Sequence, residues 1–434
     1  MGKEDKVKLV LNEKALHTVM LDPDKCMGCI TCMRRCPTEA IRVRNGKASV
    51  AYEKCIGCGE CVRLCPHHAK IPSHDSWDCL NDFKYKIVLP PPSLYGQFTN
   101  LTDINIVLNG LLALGFDEVY EVGKGADYVS EATNIIMNRG TIPKPILSTA
   151  CPAISELIMM SYHNLKDHLL NLLAPVDVAA KIAKQNAIKR GIPEEDIGVY
   201  FISPCPAKVF ALKMGVGVEK PYVDRVLSTS DAYMHLLPVM KDLTDIKPIC
   251  SLSSHGLGWG ISRGEANATY KESTIAADGI DNCKQILDML EDGGLQDIDF
   301  IELNACTGGC VGGVMNVENP FVTRGRLHTL IKKLPRNINN IADLNKTTDY
   351  FCWEQDLTLK DVFKLDDNRI VAMQKMMEIE SIMEELPKVD CGLCGAPSCR
   401  AFAEDLINGV LPRDTKCPRK EAMEKNSKWR YTML

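Results

Sequence analysis

The chain has 434 residues, 45% hydrophobic and 25% charged, a composition of folded globular domains and not of disordered or fibrous proteins. At roughly 100–200 residues per domain, two to four domains are expected. Its 51 basic and 56 acidic residues nearly balance and are interspersed, which argues against a nucleic-acid face. No run approaches the ~18 consecutive apolar residues of a membrane helix, and the opening MGKEDKVKLV lacks the apolar core of a signal peptide. A cytoplasmic protein with no membrane partner is therefore expected.

Twenty cysteines stand out against that background. Disulfides are rare in a reducing cytosol, so cysteines at short spacings there point to metal or redox chemistry. Four groups of four emerge. Cys26, Cys29, Cys32 and Cys36 are followed by Cys55, Cys58, Cys61 and Cys65. Cys391, Cys394, Cys399 and Cys417 lie at the far end, and Cys151, Cys205, Cys306 and Cys310 are spread through the middle. Cys79, Cys250, Cys283 and Cys352 are left over, with packing as their plain role and Cys250 or Cys283 as candidates for a proton route.

The first two groups form an internal repeat, CMGCITCMRRCP and CIGCGECVRLCP. Each is the C-x2-C-x2-C-x3-C-P run that holds 4Fe–4S clusters in two-cluster ferredoxins, where the fourth cysteine serves the other cluster. Cys26, Cys29, Cys32 and Cys65 are thus expected on one cluster, and Cys55, Cys58, Cys61 and Cys36 on the second. Zinc is the alternative for C-x2-C pairs, but eight cysteines in duplicated order argue against it. Between the repeats, Asn45-Gly46 marks a hairpin. This ferredoxin-like domain is expected over 1–75.

From 76 to 345, short apolar runs alternate with helical patterns. KIVLP, KPILSTA, IGVYFISP and IDFIEL read as buried strands, and NLKDHLLNLLAP and VDVAAKIAKQNAIKR as helices. Alternation of this kind implies two α/β lobes with parallel sheets, whose functional residues lie beyond strand C-termini. Three of the strands run directly into a cysteine, at STACP, SPCPAK and ELNACTGGCVGG.

Those three motifs resemble the signature loops of the iron-only (FeFe) hydrogenases. The resemblance implies that Cys151, Cys205, Cys306 and Cys310 hold the H-cluster. That cluster is a 4Fe–4S cubane joined, through the last cysteine, to a two-iron subsite carrying CO, cyanide and a dithiolate after maturation. Lys208 falls on the lysine that donates to a cyanide, and Pro92 and Ser93 resemble the segment near the other cyanide. Departures from the high-turnover pattern concern protons. Ala150 stands where a relay cysteine is found, Ala211 replaces a glutamate, and Ser203 and Asn304 replace methionines. Of two upstream relay glutamates, Glu131 aligns with one, whereas Asn134 stands at the other. The combination resembles the sensory branch of the family, in a form without a PAS domain. Glu302 and Glu156 are carboxylates that could replace the relay, with ordinary hydrogen-bonded acids as the plain reading.

The segment 346–434 is expected as a linker helix and a small iron–sulfur domain. Cys391, Cys394, Cys399 and Cys417 follow C-x2-C-x4-C-x17-C spacing, which fits a further 4Fe–4S cluster, with zinc as the alternative. A helix is expected from Cys399 towards Asn408. Before it, RIVAMQKMMEIESIMEELPK reads as a helix with Ile370, Met373, Met377, Ile382 and Leu386 near one face, a candidate dimer surface or an internal packing face. The basic end is expected to be a solvated tail.

The expected fold class is multidomain α/β and α+β. The expected function is slow, reversible H2 oxidation and proton reduction with electron relay through the 4Fe–4S clusters and hydrogen or redox sensing. Catalytic roles fall on Cys310, Lys208, Glu302 and Glu131. The implied partners are H2, protons, the hydrogenase maturases and a redox protein such as ferredoxin or a signalling partner. The alternative is a non-catalytic iron–sulfur scaffold or electron-transfer adaptor of the same fold.

Overall fold

The computed structural model describes residues 18–336 and 339–431, with side chains to residue 424, so the opening MGKEDKVKLV and the final three residues lie outside it. The chain forms two compact units. The larger contains Ile56–Gly59 and Pro72–Leu359, and the smaller contains Val19–Cys55, Glu60–Ile71 and Lys360–Leu434. Among the described residues no helix is long and apolar enough to cross a membrane.

The smaller unit begins with β1 (Val19–Leu21), the hairpin β2 (Ile41–Arg44) and β3 (Lys47–Val50), and β4 (Lys70–Pro72), which pairs with β1. Asn45 and Gly46 both have positive φ, at 51° and 71°, as the expected two-residue hairpin turn requires.

In the larger unit, β5 (Tyr85–Leu89), β6 (Glu118–Val119), β8 (Ile197–Ser203) and β9 (Arg225–Ser228) form a parallel sheet in the order β6-β5-β8-β9. A second parallel sheet has the order β10-β11-β7, from β10 (Thr274–Asp278), β11 (Phe300–Asn304) and β7 (Ile146–Leu147). Every residue of β8 is buried, which explains its unbroken apolar run, as expected of a parallel strand covered on both faces. The four strands expected from the sequence are β5, β7, β8 and β11, and the two-lobed α/β expectation holds.

One helix expectation does not hold. NLKDHLLNLLAP forms only the short 3-10 turn His163–His168 before the chain extends, with bridges Leu147↔Leu169 and Leu172↔Cys352. Leu169, Leu170, Leu172 and Leu173 are all buried. Two adjacent buried pairs on either side of the exposed Asn171 do not follow the one-faced period of a helix.

The N-terminal and C-terminal cluster segments, expected as separate domains, belong to the same smaller unit. On β2, Ile41 and Val43 face the core while Arg42 and Arg44 both bond Asp405, at 2.8 and 2.5 Å, and the Val43 N–H donates to Gly395 O at 3.0 Å. The helix Arg369–Glu385 packs against the helix Cys399–Ile407 through Ile379, Ile382 and Met383. The expected single face therefore splits. Ile370, Met373 and Met377 are exposed, whereas Ile379, Ile382, Met383 and Leu386 form the packed stripe at i, i+3, i+4 and i+7. The expected tail is helical over Pro418–Tyr431.

Candidate functional site

Both sheets of the larger unit aim their C-terminal ends at one cavity. β5 leads to Pro92 and Ser93, β8 to Cys205, β7 to Cys151, and β11 to Cys306 and Cys310. The cavity encloses about 620 Å³ of atom-free space, and its walls include Pro92, Ser93, Ala150, Lys208, Glu302 and Cys310.

Local geometry presents the cysteines. Cys151 and Cys205 each precede a helix, Pro152–Ser161 and Pro206–Met214, with proline at the first position. Proline suits that position because its N–H would have no helical partner, and the positive helix end favours a thiolate. The ACTGGCVGG loop is tight. A side chain at Gly312 would stand 2.0 Å from Thr307 O, and one at Gly313 would stand 2.2 Å from Pro204 O.

Lys208 is the fixed cation of the site. Its Nζ donates to the Ala150 carbonyl at 3.4 Å and approaches Cys310 Sγ at 3.7 Å. Burial opposes its charge, but the thiolates of Cys310, Cys205, Cys151 and Cys306 carry its pKa far above the ordinary lysine value. Burial pushes the Cys205 thiol up to about 11 while Lys208 pulls the other way. Ser93 Oγ, on the wall of the same cavity, is buried with no hydrogen-bond partner among the described residues. An anionic, acceptor-bearing group between Lys208 and Ser93 would satisfy both. The residues present fit the expected H-cluster.

Glu302 and Glu265 form a buried carboxylate pair on the cavity wall. Glu302 accepts from the N–H groups of Arg263 and Ala266, both at 2.9 Å, and from Asn304 Nδ2 at 2.8 Å. Glu265 accepts from Ser148 Oγ at 2.5 Å, and Ser148 Oγ in turn accepts from the Ala150 N–H. Burial raises both carboxyl pKa values, and the Glu302 charge adds to the rise at Glu265. Three donors to Glu302 favour its ionised form, so Glu265 is the better proton holder.

Glu131 lies elsewhere. Its carboxylate accepts from the Ile341 N–H at 2.7 Å and does not line the cavity. Asn134 donates to the carbonyls of Ser130 and Ala268. Glu156 does not line the cavity either. The Cys283 thiol donates to the carbonyls of Asn304 and Ala277, a packing role, and burial and Glu121 push the Cys250 thiol up to about 12.

Glu265 and Trp259 are cavity residues that the sequence reading missed. Both lie in GLGWGISRGEAN, whose glycines at 256, 260 and 264 were the available signal. Gly264 stands where a side chain would meet Gly258 O at 1.9 Å, and at Gly260 one would meet Pro92 at 3.0 Å.

In the smaller unit, Cys26, Cys29, Cys32 and Cys65 line one cavity of about 340 Å³. Cys391, Cys394, Cys399 and Cys417 line another of about 290 Å³. Cys36, Cys55 and Cys61 lie within electrostatic reach of one another, and Cys58 sits on the Ile56–Gly59 turn of the larger unit. Among the described residues, no three His, Cys, Asp or Glu side chains converge on a point that would hold a single metal ion.

Comparison with known proteins agrees with this layout. The family model for the iron only hydrogenase large subunit, C-terminal domain, matches residues 84–249 and 254–314. A 4Fe-4S dicluster domain matches residues 18–66, and an Fe-S cluster model matches residues 386–419. The periplasmic Fe hydrogenase large subunit of Nitratidesulfovibrio vulgaris is 27% identical over 392 residues, covering 73% of this chain and 92% of that protein. Two structures of FeFe-hydrogenase HydA1 variants from Chlamydomonas reinhardtii align with a TM-score of 0.51 at 16% and 17% identity, covering 64% of this chain and 95% of theirs, a likeness of fold. The hydrogenase model spans more than half of the chain, over the segment that builds the Lys208 cavity. This chain belongs to the iron-only hydrogenase family.

Proposed function

We propose that this protein is a hydrogenase of low turnover with a sensory role, acting on H2 at an H-cluster held by Cys151, Cys205, Cys306 and Cys310. The observation that carries this reading is that Lys208 Nζ reaches both Cys310 Sγ and the Ala150 carbonyl, on the wall of a cavity that also presents Ser93 Oγ, which has no hydrogen-bond partner among the described residues. When bound, the two-iron subsite with CO, cyanide and dithiolate supplies the centre at which H2 is split or formed. Cys310 would help hold that group. Lys208 and Ser93 would orient it by donating to its anionic ligands, and Pro92 and Trp259 would help exclude water from the cavity.

Ala150 leaves no proton-carrying side chain at its own position. The Glu302–Glu265 pair takes that task, with Glu265 holding the proton and Ser148 bonded to it. General acid–base groups typically contribute ~10²–10⁴-fold, so a less direct route is consistent with slow turnover. Glu131, bonded to the Ile341 amide, caps a backbone segment in this reading.

Electrons would pass along the clusters. Within the larger unit, a side chain at Gly57, beside Cys58, would stand 2.9 Å from Ala207, two residues past Cys205. Within the smaller unit, Gly392, beside Cys391, packs on Met33 and Ile30, which flank Cys32 and Cys29. These contacts support a path in which the C-terminal cluster is the outer port to ferredoxin or a signalling partner. The proposal places the protein in the cytoplasm with the maturases that assemble the two-iron subsite.

Infrared spectroscopy of the full chain matured with the hydrogenase maturases tests the reading. Metal-bound CO and cyanide bands that respond to H2 are expected. Their absence after competent maturation would overturn it in favour of an iron–sulfur scaffold.

A further inference from the structure

The two cysteine repeats are offset by 29 residues, from Cys26 to Cys55, and the same offset sets Lys70 opposite Ile41. Ile41 is a buried core residue packed among Cys26, Cys32 and Met33. Its counterpart is equally enclosed, since Lys70 is only 4% exposed, yet it carries an ammonium. Lys70 Nζ is fully buried and has no hydrogen-bond partner among the described residues. A buried unpaired cation is strongly unfavourable unless something anionic faces it.

The surroundings identify that anion. Lys70 lines the cavity of Cys26, Cys29, Cys32 and Cys65. β4 fixes its place, because Lys70 is the inward-facing residue of that strand while Ile71 faces out. A thiolate-ligated cubane is anionic and gains one further negative charge on reduction. A nearby fixed positive charge therefore favours the reduced form, and charge and hydrogen bonds to sulfur are among the determinants of cluster potential.

We propose that Lys70 sets the working potential of the N-terminal cluster held by Cys26, Cys29, Cys32 and Cys65, its buried positive charge favouring the reduced form of that cluster. Each reduction adds one electron, makes or breaks no bond and needs no proton at Lys70. H2 → 2 H⁺ + 2 e⁻ at the hydrogenase site supplies one electron per cluster. The inference rests on the electron-relay reading above for its consequence. Iron content and cluster spectra test that reading, whereas the potentials test Lys70.

The experiment is a redox titration of the full matured chain, followed by electron paramagnetic resonance, with iron and sulfide counted in each sample. Lys70→Met keeps the length and removes the charge. At the parent's midpoint potential, a cluster of the variant should be at least tenfold more oxidised, a downward shift of about 59 mV for a one-electron couple. The shift should fall on the cluster of Cys26, Cys29, Cys32 and Cys65. The C-terminal cluster should not move, and Lys70→Arg should keep parental potentials. Unmoved N-terminal potentials in a fully loaded Lys70→Met would overturn the proposal, as would equal shifts in the Met and Arg variants. If Lys70→Met fails to load, a loaded Lys70→Arg with parental potentials supports the role of the charge, and failure of both variants overturns it.

Discussion

Glu265 and Glu302 share one buried wall of the cavity, but Glu302 receives three hydrogen bonds from Arg263, Ala266 and Asn304 while Glu265 receives one from Ser148. In the proposed relay that inequality would make Glu265 the proton donor and Glu302 its counter-charge, two roles set by two environments. Removing either carboxyl should break the relay. Glu302→Gln and Glu265→Gln are each expected to slow H2 turnover by about 10²–10⁴-fold. Infrared bands of the two-iron subsite should persist, separating lost proton transfer from lost cofactor. Parental rates in both variants would place the proton path elsewhere.

The same pair predicts a pH dependence of stability. Both carboxyl pKa values are raised in the folded protein, so the folded state binds more protons than the unfolded chain between the ordinary glutamate value and the raised one. Stability from this pair is fully present below the ordinary value near 4.5, and it is lost as pH rises towards the raised value. The slope is about 1.4 kcal/mol per pH unit for one proton. Thermal midpoints of the holoprotein measured across that window should fall less steeply in Glu265→Gln than in the parent.

Asp405 ties the C-terminal iron–sulfur segment to β2 through Arg42 and Arg44. Its carboxylate is largely buried, and truncation leaves two guanidinium groups uncompensated. Asp405→Ala should destabilise the smaller unit by about 3 kcal/mol, the usual scale for breaking a buried pair. The readout is earlier proteolytic release of the C-terminal segment and earlier bleaching of its cluster on heating. The cavity of the larger unit should keep its infrared bands.

Ala150 lines the cavity with its carbonyl on Lys208 and its N–H on Ser148. Ala150→Cys places a thiol inside a space that the Glu302–Glu265 pair already reaches. Turnover is therefore expected to rise by less than about tenfold, with the pair still required. The double variant Ala150→Cys with Glu302→Gln separates the possibilities. If it is as fast as Ala150→Cys alone, the thiol has opened a path of its own.

Cysteine order, glycine placement and strand periodicity determined much of this protein by themselves. Short-range ligand spacing is a local property, so the two repeats and the C-terminal group were legible. The cavities where Cys26 joins Cys65, and where Cys391 joins Cys417, bring together the residues that the spacing grouped. The strands running into Cys151, Cys205 and Cys306 were equally plain, because a buried parallel strand writes an unbroken apolar run.

Only the tertiary structure decided the rest. Glu265 reaches Glu302 across 37 residues of chain, and Arg42 meets Asp405 across 363. No local pattern encodes such pairings. Nothing in the local spacing marks Arg42, Arg44 or Lys70, and packing alone gives Arg42 and Arg44 their common partner Asp405 and buries Lys70. Ile370, Met373 and Met377 went the other way, out of an expected common face and into solvent. A charged side chain's meaning depends on what excludes its water, and that is settled by segments far away in the chain.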